Sequence, residues 1–355
     1  MISPTWRRAS AVALAALLAL TGCASTGGAE PATPSSSGPT GPMPAAEGTT
    51  AYPLTLTTWA GETVLTKRPE RIAVLGTSPN MDALQALGVT PVYALTEDPY
   101  PWRDAAWAGR IEKTDTATRK DPINFEGIAA TEPDLIVAIG ALWEKPEFTK
   151  LAEIAPVLEG PEQAELPWQE IQRTIGRTVD LAAAADRAVT TAEQAITAAA
   201  TAHPEFKGRT ITIANDYGPQ YGLSFYNVAG GTAENILSGL GFATNPRAAK
   251  FVEQDVVSDE NQSLLDADIL VVVYVDEQSR TTREAKPLFK AVPAVAGGRY
   301  VSLAASKENP DKVVDAAGRP LDNATWVLRA GASAVSLPWG VQVVTDQWLA
   351  GAKLP

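Results

Sequence analysis

The stretch from Ala182 to His203 constrains the fold more than any other part of this chain. Eleven of its 22 residues are alanine, the strongest helix former, and neither glycine nor proline interrupts it before Pro204. Val189, Ala192 and Ile196 recur at helical spacing, so the segment predicts one unbroken helix of about 30 Å at 1.5 Å per residue. Its flanks read differently. On both sides short β segments alternate with helical ones, the rhythm of α/β layers. A stiff helix between two such halves predicts a rigid two-lobed body with limited closure.

In the first half, 71–75 reads as a buried strand stopped by Gly76, 78–87 as a helix closed by Gly88, and 89–95 as the next strand. A short helix at 125–130, a strand at 134–139 and a helix at 143–155 follow. The second half offers strands at 209–214, 269–275 and 299–303, with helices at 232–240, 261–265 and 334–349. The last of these carries Pro338 near its start. The expected organisation is a leader over 1–22, a spacer over 23–51, an N-terminal lobe over 52–181, the spanning helix over 182–204 and a C-terminal lobe over 205–355.

The leader is legible in its own right. Arg7 and Arg8 precede an apolar run from Ala11 to Leu20, which is the layout of a secretory signal. Ten apolar residues fall well short of the roughly 20 needed to span a bilayer. The run ends in Leu20-Thr21-Gly22-Cys23, which resembles the lipobox of bacterial lipoproteins. That resemblance implies cleavage before Cys23, lipid on its sulfur, and a chain held at the extracytoplasmic face of the cell membrane. Residues 24 to about 51, nearly all Ala, Ser, Thr, Gly, Pro and Glu, lack the apolar bulk to offset ordering entropy and read as a mobile spacer.

Charge and cysteine count remove several classes. The formal net charge is −12, and loss of Arg7 and Arg8 lowers it by two units more, so nucleic acid is an unsuitable partner. Cys23 is the only cysteine, which leaves no structural disulfide and no thiolate metal site. The single histidine, His203, sits where it would favour the helix C-terminus over a metal. An enzymatic reading fares poorly. Gly331-Ala332-Ser333-Ala334-Val335 lacks the final glycine of a nucleophile elbow, and Gly230-Gly231-Thr232 lacks the lysine of a phosphate loop. No intrinsic cofactor is expected.

Several segments resemble, in order, the substrate-binding components of ATP-driven iron–siderophore, haem and cobalamin importers. Pro69-Glu70-Arg71-Ile72-Ala73-Val74 looks like the family's first strand, and Asp82-Ala83-Leu84-Gln85-Ala86-Leu87-Gly88-Val89-Thr90-Pro91-Val92 like the segment after it. Glu126-Gly127-Ile128 with Pro133-Asp134-Leu135-Ile136, and Ser258-Asp259-Glu260 with Leu265-Asp266-Ala267-Asp268, match further along. The resemblance implies two Rossmann-like α/β lobes joined by a single long helix, with the ligand cleft between them. It also implies that Glu126 and Glu260 dock onto the membrane permease of an ABC importer. The ligand it implies is a ferric siderophore, with haem or cobalamin as alternatives; an interaction or sensor lipoprotein of the same fold is a different class. A monomer is expected.

Sheets of this kind bind ligands at the carboxyl ends of their strands. Loops there carry Trp102 and Arg103, Trp143, Tyr217 and Tyr221, and Arg280 and Arg283. Aromatic walls and a few cations suit a bulky ferric chelate, so these seven are the candidate ligand contacts.

Overall fold

The computed structural model describes residues 43–76, 78–96, 100–116 and 122–354. The leader over 1–22, Cys23 and the spacer as far as residue 42 lie outside the described residues, as do Thr77 and Pro99. No helix among the described residues is long and apolar enough to cross a membrane.

A hairpin of β1 (Leu54–Thr58) and β2 (Gly61–Leu65) is the first regular element among the described residues, its turn carrying Trp59. Then come β3 (Ile72–Val74), β4 (Tyr93–Thr96), β5 (Lys113–Thr116), β6 (Leu135–Val137) and β7 (Val157–Leu158). They form an all-parallel sheet in the order β5-β4-β3-β6-β7. Strands β3 and β6 are buried at every position, which explains their unbroken apolar runs. The order reverses direction between them, and such a switch point leaves a crevice at the strand ends. Asn80, from the following helix Ser78–Ala86, bridges it by donating to the carbonyls of Leu75 (3.0 Å) and Ile139 (2.9 Å).

The second sheet comprises β8 (Ile211–Asp216), β9 (Leu223–Phe225), β10 (Val256–Val257), β11 (Ile269–Tyr274), β12 (Tyr300–Ala305), β13 (Lys312–Asp315) and β14 (Pro320–Asp322). Its order is β10-β9-β8-β11-β12-β13-β14. Only β8, β11 and β12 are mutually parallel; β9, β13 and β14 join antiparallel to their neighbours. The second lobe is thus Rossmann-like at its centre and mixed at its margins.

The spanning helix is Ala182–Ala202, and its small side chains have a packing reason. A Cβ on Gly176, in the helix Trp168–Thr178, would meet Ala185 Cβ at 2.4 Å, and one on Gly239, in Thr232–Gly239, would meet Ile196 Cγ2 at 2.8 Å. Ala185 belongs to the core of the first lobe and Ala192 to that of the second. One rod is therefore gripped closely by both.

The helix start corrects the expected end of the spacer. Glu47 accepts the free N–H groups of Ala183 (2.7 Å) and Ala184 (2.9 Å), a side-chain cap from outside the helix. Asp180 accepts the backbone N–H groups of Gly48, Thr49 and Thr50, each at 2.8 Å. Residues 43–51 are thus bonded to the first lobe, since two carboxylates exchange water for backbone donors that polar composition alone does not reveal.

At the other end the His203 ring bonds Glu205 (3.0 Å) and Asp346 (3.1 Å). Burial pulls the imidazole pKa down, but the two carboxylates outweigh it and raise the pKa above its ordinary 6.5. Its stabilising contribution is therefore complete below the unfolded value and is lost as pH rises through the folded one. Melting temperature should fall across that window in the native chain and stay flatter in His203→Gln. Identical pH profiles for the two would refute this.

Candidate functional site

A cleft of about 690 Å³ opens between the two sheets, within the range of about 300–1,000 Å³ usual for small-molecule sites. The first lobe contributes the ends of its switch-point strands: Ile139, Gly140, Leu142 and Trp143 after β6, Glu159 after β7, and Pro79 after β3. Trp59 from the hairpin turn and Trp168 from its helix start complete that wall. From the second lobe come Asn215 at the end of β8, Tyr217 just beyond it, Tyr226 after β9, and a segment carrying Asn323, Thr325, Trp326 and Arg329.

Glu159 organises the first wall. Its buried carboxylate accepts the backbone N–H groups of Gly140 (3.0 Å), Leu142 (3.2 Å) and Gly160 (2.7 Å), which pins the loop that presents Trp143. Burial pushes its carboxyl above the usual range, against those three bonds. In the opposite wall Arg329 donates to the Tyr217 hydroxyl at 2.9 Å, and its guanidinium lies 5.7 Å from the centre of the Tyr226 ring. Burial, then the neighbouring Tyr217, drive the Tyr226 phenol upward, so it stays a protonated donor at neutral pH. The result is a cleft of mixed lining, in which indole and phenol faces alternate with carboxylates, amides and one guanidinium.

Of the seven candidate contacts, Trp143 and Tyr217 line this cleft. Tyr221 is exposed outside it. The other four are engaged elsewhere. Trp102 Nε1 (2.8 Å) and Arg103 (3.0 Å) both donate to Asp82. Arg280 bonds Glu277 and the Val314 carbonyl, and Arg283 bonds Asp216 and Asp259, each at 2.8 Å. Loop position and residue type suggested these four, but each is held by a carboxylate: Asp82 takes Trp102 and Arg103, Glu277 takes Arg280, and Asp216 with Asp259 takes Arg283. The cleft residues without a prior signal are Trp326, Arg329, Tyr226, Trp59, Trp168 and Glu159. For Trp326 and Arg329 the only cue is a tryptophan and an arginine three residues apart in a stretch without strand or helix periodicity.

The segment carrying Trp326 also joins the lobes. Trp326 Nε1 donates to Ser78 Oγ at 3.0 Å, and Ser333 Oγ donates to Asp82 Oδ2 at 2.7 Å. The Trp102 and Trp339 rings pack with centroids 5.0 Å apart. Asp82 is fully buried; burial pushes its carboxyl upward, while Arg103, Ser333 and Trp102 pull the other way. First-lobe helix and second-lobe segment thus share one buried polar cluster beside the cleft.

Glu126 and Glu260 are exposed, each in the first turn of a short helical segment, Phe125–Ala129 and Asp259–Leu265. Neither carboxylate has a partner among the described residues. The first segment comes after β5, which is parallel to β4, and the second after β10, which pairs antiparallel with β9 at the edge of its sheet.

The sequence profile of a periplasmic binding protein family matches residues 72–306. A search of curated proteins by sequence returns no match. Among solved structures, a periplasmic solute binding protein from Mycobacterium smegmatis is 25% identical, with a TM-score of 0.62 over 83% of this chain and 95% of that one. Streptococcus pneumoniae PiaA, an iron uptake ABC transporter substrate-binding protein, in complex with ferrichrome, is 20% identical, with a TM-score of 0.64 over 84% and 99%. Staphylococcus aureus SirA complexed with staphyloferrin B is 19% identical, with a TM-score of 0.61 over 82% and 97%.

Proposed function

Because the chain belongs to the periplasmic binding protein family, we propose that it captures a ferric siderophore in the interlobe cleft and delivers it to an ABC importer. The observation that carries this reading is the cleft itself: six aromatic rings from two lobes around a 690 Å³ space, with Arg329 and Tyr217 paired at its wall. Indole and phenol faces hold the apolar arms of a chelate, and the paired donors meet the oxygens that wrap its metal. Iron arrives already coordinated, so the protein supplies no ligand to it. The task is binding and release without covalent change. The ferrichrome and staphyloferrin B held by PiaA and SirA are in keeping with this.

Glu126 and Glu260 are the permease contacts in this reading. Two exposed carboxylates on separate lobes give a two-point grip on a basic channel mouth and orient the protein toward it. Cys23 carries the lipid that keeps the protein, as a single copy, at the membrane surface.

Uptake of iron-55 from a ferric siderophore, with binding followed in parallel by tryptophan quenching, tests the whole assignment. Glu126→Ala with Glu260→Ala should cut uptake by an order of magnitude or more while affinity stays within about twofold, because exposed charges away from the pocket affect docking alone. Cys23→Ala should release the chain from the membrane fraction. Full uptake by the double variant would remove the docking role, and silence toward every ferric siderophore would remove the ligand.

A further inference from the structure

The cleft lining carries three carboxylates, Glu159, Glu162 and Glu165, against one guanidinium, Arg329. Glu162 and Glu165 stand in the exposed 161–165 segment at its mouth and have no partner among the described residues. Arg329 is partly committed already, to the Tyr217 hydroxyl and the Tyr226 face, and it also feels the Asp255 carboxylate. Even with Glu159 set aside as consumed by backbone donors, the space a ligand would enter is negatively biased.

Resting on the siderophore reading, we propose that this cleft sorts ferric chelates by charge, accepting an uncharged or singly cationic trihydroxamate and rejecting multiply anionic catecholates and carboxylates. The charge arithmetic of the ligands makes the division sharp. Three hydroxamates carry one negative charge each and cancel a ferric ion, whereas three catecholates carry two each and leave a trianion. A trianion would approach a protein of net charge −12, pass two unpaired carboxylates and find one shared arginine. A neutral trihydroxamate needs only donors for its oxygens and apolar walls for its methylene arms. Arg329, Tyr226, Asn215 and the tryptophans meet that need. A pendant ammonium would gain from Glu162 and Glu165 by the modest amount that exposed charge pairs yield.

The test is a titration of the purified full chain, in detergent at low salt, with ferrioxamine B (a cation), ferrioxamine E (uncharged) and ferric enterobactin (a trianion). Ferrioxamine B should bind about two- to tenfold more tightly than ferrioxamine E, the yield of two partly exposed charge pairs. That ratio should collapse toward one in Glu162→Gln/Glu165→Gln and in high salt. Ferric enterobactin should bind at least about tenfold more weakly than either. Tightest binding of ferric enterobactin, or a ratio unmoved in the double variant, would overturn the charge rule and leave the siderophore reading standing. Silence toward all three would overturn the charge rule, which requires a trihydroxamate to bind, and silence toward every ferric siderophore would overturn the siderophore reading as well.

Discussion

Asp82→Asn is expected to destabilise the protein by about 3–5 kcal/mol, the loss usual when one partner of a buried ion pair is removed. The Asp82 side chain is fully buried and that of Arg103 is 4% exposed, so neither charge has water to fall back on. The carboxylate also gathers Trp102 Nε1 and Ser333 Oγ, one from each lobe. An amide keeps the volume but presents an N–H₂ where the site offers only donors, and it leaves the guanidinium uncompensated. Urea midpoints measured for Asp82→Asn, Arg103→Met and Asp82→Leu/Arg103→Met would show it. The double variant should cost less than the two single ones together, because removing both charges strands neither. A single Asp82→Asn cost below about 1 kcal/mol would mean that the pair is solvated in a way its burial does not suggest.

Gly331→Ala should come next in size, and it acts on the cleft wall. A Cβ there would lie 2.2 Å from Cδ1 and 2.5 Å from Nε1 of Trp326. An indole cannot bend away; it must swing, and its Nε1 bond to Ser78 goes with it. Overpacking of this kind costs about 1–3 kcal/mol. Because the same indole lines the cleft, ferric siderophore affinity should fall at least about tenfold, a loss of about 1.4 kcal/mol in binding. Ser78→Ala separates the two effects, since it removes only the hydrogen bond, at about 0.5–1.5 kcal/mol, and leaves the wall in place. Thermal melts and quenching titrations on both variants decide the matter. Native affinity in Gly331→Ala would show that Trp326 is not a wall the ligand touches.

These residues also mark where reading the chain succeeds and where it stops. The 182–202 helix is legible because its signal is local: alanine, spacing and the absence of breakers all lie within the segment. Buried parallel strands such as β6 and β11 are legible for the same reason. The marginal strands β9, β10 and β14 have two or three residues each, too few to show an alternating pattern. In the site, Trp143 and Tyr217 follow strands that can be recognised, so strand-end logic finds them. It equally nominates Arg103 and Arg283, because nothing near either in sequence announces the buried Asp82 and Asp216 that occupy them. Trp326 and Arg329 have no regular element to anchor them. Their place depends on partners such as Ser78 and Tyr217, which are 248 and 112 residues away.

Those long sequence separations bear on how the molecule comes into being. The first lobe's core and sheet are closed by residues 43–181 and the start of the spanning helix, so it can consolidate early from mostly nearby partners. The cleft cannot. Its Trp326 and Ser333 reach back 248 and 251 residues to Ser78 and Asp82, a loop closure that must wait for almost the entire chain. Until then the future pocket is an open face of tryptophans and carboxylates beside an incomplete polar cluster, a surface open to stray association. Competence to bind is therefore expected to follow consolidation of the first lobe, with the C-terminal segment as the clasp that finishes the pocket.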